Sequence, residues 1–234
     1  MHKYAVSLAL LACLTVGSYG QDTFPELVER AIGPDQELIN GIQFSNHYGR
    51  IEGHPYLLDG QFHKGSLEIN RKWYNSVRVR YNLYTQRPEI EYTTVDGFVN
   101  QLMAVPESVA RFNLQGIHFE QLEQGTGTLA YYQVISVSTD TCYVSWSKKM
   151  GSSTGSLSGN RFNPPEVSFI LKVNRERLFF HNRKTLVDAY PLQSRKALNR
   201  LIRENGFSFR EPTPQQCRSF AGSLIQIYRE GMEP

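Results

Sequence analysis

The residues that could do chemistry in this chain are histidines, carboxylates and a serine, and they are scattered. His47, His54 and His63 follow one another at spacings of 7 and 9 in a turn-rich segment. A metal site on one helix instead needs two histidines about four apart. A loop-built metal site is one interpretation, and residues that shape turns are the other. The spacing favours the second, so we predict no metal site and no cofactor.

A second candidate is Ser153, because Gly151–Gly155 matches the G-x-S-x-G pattern of hydrolases. In those enzymes the serine lies on a sharp turn between a strand and a helix. A strand-like run precedes Ser153, but more Ser and Gly residues follow it instead of an amphipathic helix. The pattern favours a flexible loop over 150–160. P-loop, Rossmann and CxxC patterns are absent from the sequence, which argues against ATP- or NAD-driven chemistry.

Glu89 and Glu91 share one face of a predicted strand, and paired carboxylates can act as acid and base. Arg78 and Arg80 lie on the matching face of the preceding strand. Cross-strand ion pairs on a solvated, charged edge strand are therefore the favoured interpretation. No catalytic residue is assigned. The candidate ligand-binding residues in this half of the chain are His54, Arg78, Arg80 and Tyr84.

The predicted C-terminal helices are basic, and their candidate binding residues are Arg195, Arg200 and Arg203. Such a face can attract anionic lipid or glycan, and an ordinary solvated helix face is the alternative. The net charge of +3 is too small to indicate a nucleic-acid partner.

The N-terminus predicts export. Lys3 precedes an apolar run over 5–16, and small residues follow at Ser18 and Gly20. This is the pattern of a cleavable signal peptide over 1–20, which leaves 21–234 as a single domain. Cys13 offers a lipoprotein alternative, although the apolar run continues past it. We expect no transmembrane helix, because no later segment reaches 18 apolar residues. The expected location is the periplasm or the outer membrane, or the medium if the protein is secreted.

Cys142 and Cys217 are the two cysteines of the predicted mature chain. In an oxidising compartment they could form a disulfide. A cysteine is also a good small core residue, so the sequence leaves both states open.

The pattern of elements predicts an α+β fold. Strands over 37–181 form hairpins with short connections, which indicates an antiparallel meander. Helices follow over 184–230, with Ser194 and Thr213 as caps and Asn205-Gly206 as a stop, and a further short helix is predicted over 23–33. We expect a strongly curved sheet or a partly closed barrel, with the C-terminal helices packed on it.

One long strand and its neighbours carry a family resemblance. The run Gly53-His54-Pro55-Tyr56 precedes Trp73–Tyr84, and Val109–Phe112 follows later. This resembles a group of exported, β-rich proteins from Bacteroidota-type bacteria, although Arg78 and Asn82 depart from the pattern of the group. The resemblance implies an exported, β-rich protein and carries no catalytic residues.

Two classes of function follow from these observations. The first is a non-enzymatic envelope protein that binds a ligand or a partner. The second is a hydrolase of envelope or environmental polymers, which requires groups such as His54, Asp59 and Glu68 to converge on a cleft.

Overall fold

The computed structural model describes residues 35–43, 48, 51–123, 129–152, 160–174 and 176–231. The predicted signal peptide, the predicted helix over 23–33, Cys13, His47 and Ser153 lie outside the described residues. Strands come first along the chain and helices last. The strands are β1 (Gly41–Gln43), β2 (His63–Ile69), β3 (Lys72–Asn82), β4 (Arg87–Thr93), β5 (Val99–Ala104), β6 (Val109–Leu114), β7 (Ile117–Glu123), β8 (Leu129–Val137), β9 (Asp140–Ser147), β10 (Met150–Ser152), β11 (Asn160–Phe162), β12 (Glu166–Val173) and β13 (Glu176–Phe180). The helices are α1 (Arg183–Ala189), α2 (Arg195–Asn205) and α3 (Pro214–Glu230), with 3-10 turns at Pro106–Ser108 and Leu192–Ser194.

Eleven of these strands form one antiparallel sheet in the order β1-β5-β4-β3-β2-β6-β7-β8-β9-β12-β13. The predicted hairpins are present, and the α+β class is confirmed. Closure into a barrel is not confirmed, because β1 and β13 are the two ends of the order and are not paired with each other in the described chain. Strand β4 lies between β3 and β5, so its assignment as an edge strand was wrong.

The link between β5 and β6 requires strong curvature. Three strands separate β5 from β6 in the order, so in a flat sheet they would lie about four spacings, or about 19 Å, apart. Only five Cα steps connect Ala104 to Val109, and they reach at most about 18 Å when fully extended. Part of this link is the compact 3-10 turn Pro106–Ser108. The sheet must therefore coil to bring the two strands within reach.

A second contact joins strands that are distant in the order. The backbone N–H of Lys148, just after β9, donates to the carbonyl of Leu83, just after β3, at 3.1 Å. The Gln86 amide donates to the carbonyls of both Leu83 and Trp146. The ends of β3 and β9 are thus held together, and this junction forms one wall of the site described below.

The concave face of the sheet is apolar because alternate residues along each strand point to it. Tyr81, Phe112, Phe119 and Tyr131 form one aromatic cluster there, with ring centroids 4.6–6.0 Å apart. In β3 the alternation is reset at Ser76, which has φ of 61° and stands opposite no residue of β2. This bulge returns Arg78 and Arg80 to the outer face.

The C-terminal helices pack against the concave face of the sheet, away from this aromatic cluster. Thr213 caps α3, as predicted, and Gln216 completes a capping box with it. Gly206 ends α2 with φ of 58°, also as predicted. The predicted cap at Ser194 is wrong, because its hydroxyl makes no capping hydrogen bond to the described residues. Arg229 near the end of α3 binds Asp140 in the β8–β9 hairpin at 2.7 Å, which ties helix to sheet.

Part of the segment predicted as a flexible loop is regular. Met150–Ser152 and Asn160–Phe162 pair as an antiparallel ribbon, while 153–159 lies outside the described residues. Among the helices that the structure describes, none combines the length and apolar character needed to cross a lipid bilayer.

Candidate functional site

A loop over 51–62 pairs with the end of β3 through an antiparallel bridge between Tyr56 and Asn82. Leu57 N–H donates to the Tyr81 carbonyl at 3.1 Å, and Leu83 N–H donates to the Pro55 carbonyl at 2.8 Å. The residue before a proline is restricted to extended backbone, which suits His54 at the entry to this pairing. The loop thereby places His54 next to the junction of β3 and β9.

The side chain of Arg80 locks the loop in place. Its Nε donates to Glu89 at 2.6 Å and its Nη1 donates to the Gly60 carbonyl at 3.2 Å. Its guanidinium also stacks on the rings of Tyr56 and Phe62, about 4 Å from each centroid. Arg80 was predicted as a ligand-binding residue and as a member of a cross-strand pair. The structure gives it the second role, within a buried network.

A pocket of about 430 Å³ opens between this loop, the end of β9 and the β10–β11 ribbon. Its size is at the lower end of the range for small-molecule sites. Phe162 N–H donates to the Glu52 carbonyl at 3.0 Å, which joins the loop to the ribbon. The charged and aromatic residues that line the pocket are Glu52, His54, Lys148, Arg161, Phe162 and Glu211.

Lys148 is the half-buried cation of this pocket. Its ammonium donates to the His54 carbonyl at 2.8 Å. No carboxylate of the described residues lies within ion-pair distance of it, whereas its neighbour Lys149 pairs with Glu166 at 2.7 Å. Burial lowers the pKa of Lys148 below its ordinary value, because the charged form is partly removed from water. Arg161, which is exposed at the rim, likewise has no ion pair with any described residue.

His54 is held as a neutral ring in the same wall. Its Nδ1 accepts a hydrogen bond from the Tyr56 N–H at 3.2 Å, which leaves Nε2 to carry the ring proton. Burial and then the charge of Lys148 lower the pKa of His54 below 6.5, and Asp59 opposes this in part. His54 therefore needs a lower pH than an ordinary imidazole does to gain a positive charge.

An aromatic group borders the pocket. The rings of Tyr84 and Phe162 meet edge to face with centroids 5.6 Å apart, and Tyr48 packs against both. Of the predicted binding residues, His54 and Tyr84 are thus brought to one place.

The other predicted binding residues lie elsewhere. Arg78 pairs with Glu91 at 2.5 Å on the outer face of the sheet. Arg200 pairs with Glu204 along α2 at 2.7 Å, and Arg203 is exposed on the same helix. Arg195 is half-buried, and its Nε has no hydrogen-bond partner among the described residues. The cross-strand pairs Arg78–Glu91 and Arg80–Glu89 were predicted and are confirmed. The predicted solvated face is wrong for Glu89, which is fully buried.

The groups required by the hydrolase alternative do not converge. The Asp59 carboxylate binds His63 at 2.7 Å, and Glu68 binds Arg111 at 2.6 Å in another part of the sheet. In the described part of the chain, no set of three or more His, Cys, Asp or Glu residues could hold a metal ion. Within the part of the chain that the structure describes, His54, Asp59 and Glu68 therefore share no cleft.

Cys142 and Cys217 are both buried free thiols, one on β9 and one on α3. Burial raises the pKa of each thiol well above its ordinary value. Of the two states that the sequence left open, the structure has the core-thiol state.

Sequence reasoning missed Lys148 and Arg161, which complete the pocket. One signal was available, because Lys148 continues the buried alternate series Cys142, Val144 and Trp146 of β9, whereas Lys149 falls on the other face. The folding of loop 51–62 against the end of β9 then places the pocket beside Lys148.

Comparisons with known proteins give no relationship. No protein-family model matches the chain, and no curated protein or solved structure matches it either. The resemblance to exported β-rich proteins therefore stays a prediction.

Proposed function

We propose that this is an exported, non-enzymatic binding protein whose pocket at Lys148 takes a small anionic ligand. The observation that carries the proposal is the half-buried ammonium of Lys148, which has no carboxylate partner in the described residues and faces a pocket of about 430 Å³. A partly desolvated charge without a counterion attracts an anion more strongly than an exposed one does.

The distribution of charge around the pocket supports an anion over a cation. Two cations, Lys148 and Arg161, and two carboxylates, Glu52 and Glu211, line it. Both carboxylates are exposed, so water and salt screen them. Lys148 is the least exposed of the four, and its field dominates inside the pocket. Phe162 also lines the pocket, which suits a ligand that joins a carboxylate, sulfate or phosphate group to an apolar or sugar-like body.

Binding of a panel of anions to the purified protein tests this proposal. The panel contains phosphate, sulfate, glucuronate and short oligogalacturonates, and affinity is measured by calorimetry. At least one probe is expected to bind with its affinity reduced about tenfold or more in Lys148→Met, since about 1.4 kcal/mol corresponds to a factor of ten. Affinity is also expected to rise as the pH falls below 6.5, because protonation of His54 adds a positive charge to the wall.

Lys149→Met is the matched control. Lys149 is adjacent in sequence and already paired with Glu166 on the surface, so its loss should leave the affinity unchanged. Equal losses of affinity in the two variants would show that the positive charge acts without a specific site. If no probe binds to the wild-type protein, the proposal is wrong.

A second surface supports the anionic lipid or glycan contact expected of the C-terminal helices. Leu192 in the turn before α2 is 75% exposed, the highest value among the large apolar side chains described. It stands three residues before Arg195 and four before Lys196, so an apolar group accompanies the basic face. We expect Leu192→Ser to weaken flotation with vesicles containing phosphatidylglycerol, and Phe98→Ser to have no effect. Equal flotation of the wild-type protein and both variants would show that Leu192 makes no contact with the lipid.

A further inference from the structure

The last strand of the sheet, β13, leaves one edge open. It pairs with β12 on one side. On the other side, none of its backbone groups makes a hydrogen bond to any residue that the structure describes. An aromatic side chain of this strand is exposed to solvent: Phe179 is 59% exposed. Open edges of this kind can pair with another strand.

The register identifies the backbone groups that face outward. Val173 and Glu176 pair across two intervening residues, so they form the hydrogen-bonded pair that closes the hairpin. Hydrogen-bonded and non-hydrogen-bonded pairs alternate along an antiparallel ladder. Leu178 and Phe180 therefore bond to β12, while the N–H and C=O groups of Arg177 and Phe179 point to the open edge.

Two copies of β13 can pair antiparallel about a twofold axis at Leu178. In this register Arg177 of each copy stands opposite Phe179 of the other, so the twofold axis generates two equivalent pairs. The outward N–H and C=O groups of these residues then form four hydrogen bonds between the two copies. A register centred on Arg177 would instead place two guanidinium groups opposite each other, which is unfavourable.

The side chains agree with the same register. Arg177 and Phe179 are both exposed and lie on the outer face of the sheet. Arg177 stands opposite Lys172 on β12 and has no ion pair in the described chain. Opposite Phe179 of a second copy it would find an aromatic ring at cation–π distance. The side chains are therefore self-complementary, as an isologous twofold interface requires.

We propose that β13 is the interface of a homodimer in which the two sheets join edge to edge through Arg177 and Phe179. Five residues a side make a small contact, so the dimer is expected in the micromolar range. This proposal uses no residue of the Lys148 pocket, and either proposal can fail without the other.

Analytical ultracentrifugation at about 1–100 μM tests it, a range that spans the expected dissociation constant. The full chain is expected to approach twice its own mass of 26.8 kDa, less any cleaved leader, at the upper end. Arg177→Pro is expected to be a monomer, because it removes an outward N–H and the guanidinium but leaves the bonds to β12 in place. Phe98→Glu changes another exposed aromatic residue, which lies outside β13, and this variant should still form the dimer.

A charge exchange tests the register. Arg177→Glu is expected to weaken the dimer, and adding Phe179→Lys should restore it, because the introduced carboxylate and ammonium would then face each other across the axis. Unchanged circular dichroism shows that each variant is folded. A wild-type protein that stays monomeric at about 100 μM overturns the dimer, and a dimer that survives Arg177→Pro or is not restored in the double variant overturns this interface.

Discussion

Arg80 and Glu89 form a buried ion pair across the β3–β4 ladder, with Nε donating to Oε2 at 2.6 Å. The second carboxylate oxygen of Glu89 accepts from the Asn82 amide at 2.9 Å. Tyr56 and Phe62 cover the guanidinium. Two residues earlier in β3, Arg78 makes a similar pair with Glu91, and there the arginine side chain is 57% exposed and the glutamate side chain 16% exposed. The chain therefore contains a matched comparison of a buried ion pair and a partly exposed one.

Arg80→Met should destabilise the protein by about 3–5 kcal/mol, because it leaves the carboxylate of Glu89 buried without its cation. Urea unfolding followed by fluorescence measures this change. Arg78→Met, on the exposed pair, should cost no more than about 1 kcal/mol. Similar losses in the two variants would contradict the assignment of Arg80 as the clamp of loop 51–62.

Gly65 lies where β2 runs close to β6 and β3, and an added Cβ would stand 2.2 Å from the Asn113 carbonyl oxygen and 2.6 Å from Val79. Because a backbone atom cannot move aside cheaply, Gly65→Ala should destabilise by about 1–3 kcal/mol or more. Gly222→Ala on α3 should stabilise by about 0.5–1 kcal/mol, since nothing lies within 4 Å and alanine favours helix. Thermal unfolding of both variants measures the two opposite signs. If Gly65→Ala leaves the thermal stability unchanged, the strands on either side of Gly65 can move apart without cost.

The thiols of Cys142 and Cys217 should resist alkylation in the native protein, because burial excludes the reagent and raises their pKa. Intact-mass analysis after iodoacetamide treatment should show no label on either thiol at pH 8. After unfolding in urea without reductant, both should be labelled. Labelling that needs a reductant would instead show that the protein carries the disulfide.

His54 should make the protein less stable under mild acid. Its pKa in the folded protein lies below the unfolded value of 6.5, so the unfolded state binds its proton first as the pH falls. The stability due to the neutral ring is present above 6.5 and is lost as the pH falls from 6.5 through the folded pKa. His54→Gln should therefore show a smaller loss of unfolding free energy between about pH 7.5 and 5.5, a window that spans the unfolded pKa of 6.5. Parallel pH curves for the two proteins would contradict this assignment.

The sequence by itself determined the local architecture. Period-two runs and short turns predicted the hairpins, and the alternation in β3 and β4 was enough to pair Arg78 with Glu91 and Arg80 with Glu89. Cap and stop residues marked α2 and α3 except at Ser194. These features depend on residues close together in the chain, where dihedral preferences and hydrogen-bond spacing decide the outcome.

Only the tertiary structure decided burial and the pocket. The sequence placed Glu89 on a solvated edge, but pairing of β5 with β4 and the packing of loop 51–62 put its carboxylate in the interior. The period of β9 puts Lys148 and Lys149 on opposite faces, but only the coiling that brings the end of β9 to Leu83 makes Lys148 a half-buried cation beside a pocket. Sheet coiling sums small twists over many strands, so neither residue's surroundings can be derived from its neighbours in the chain.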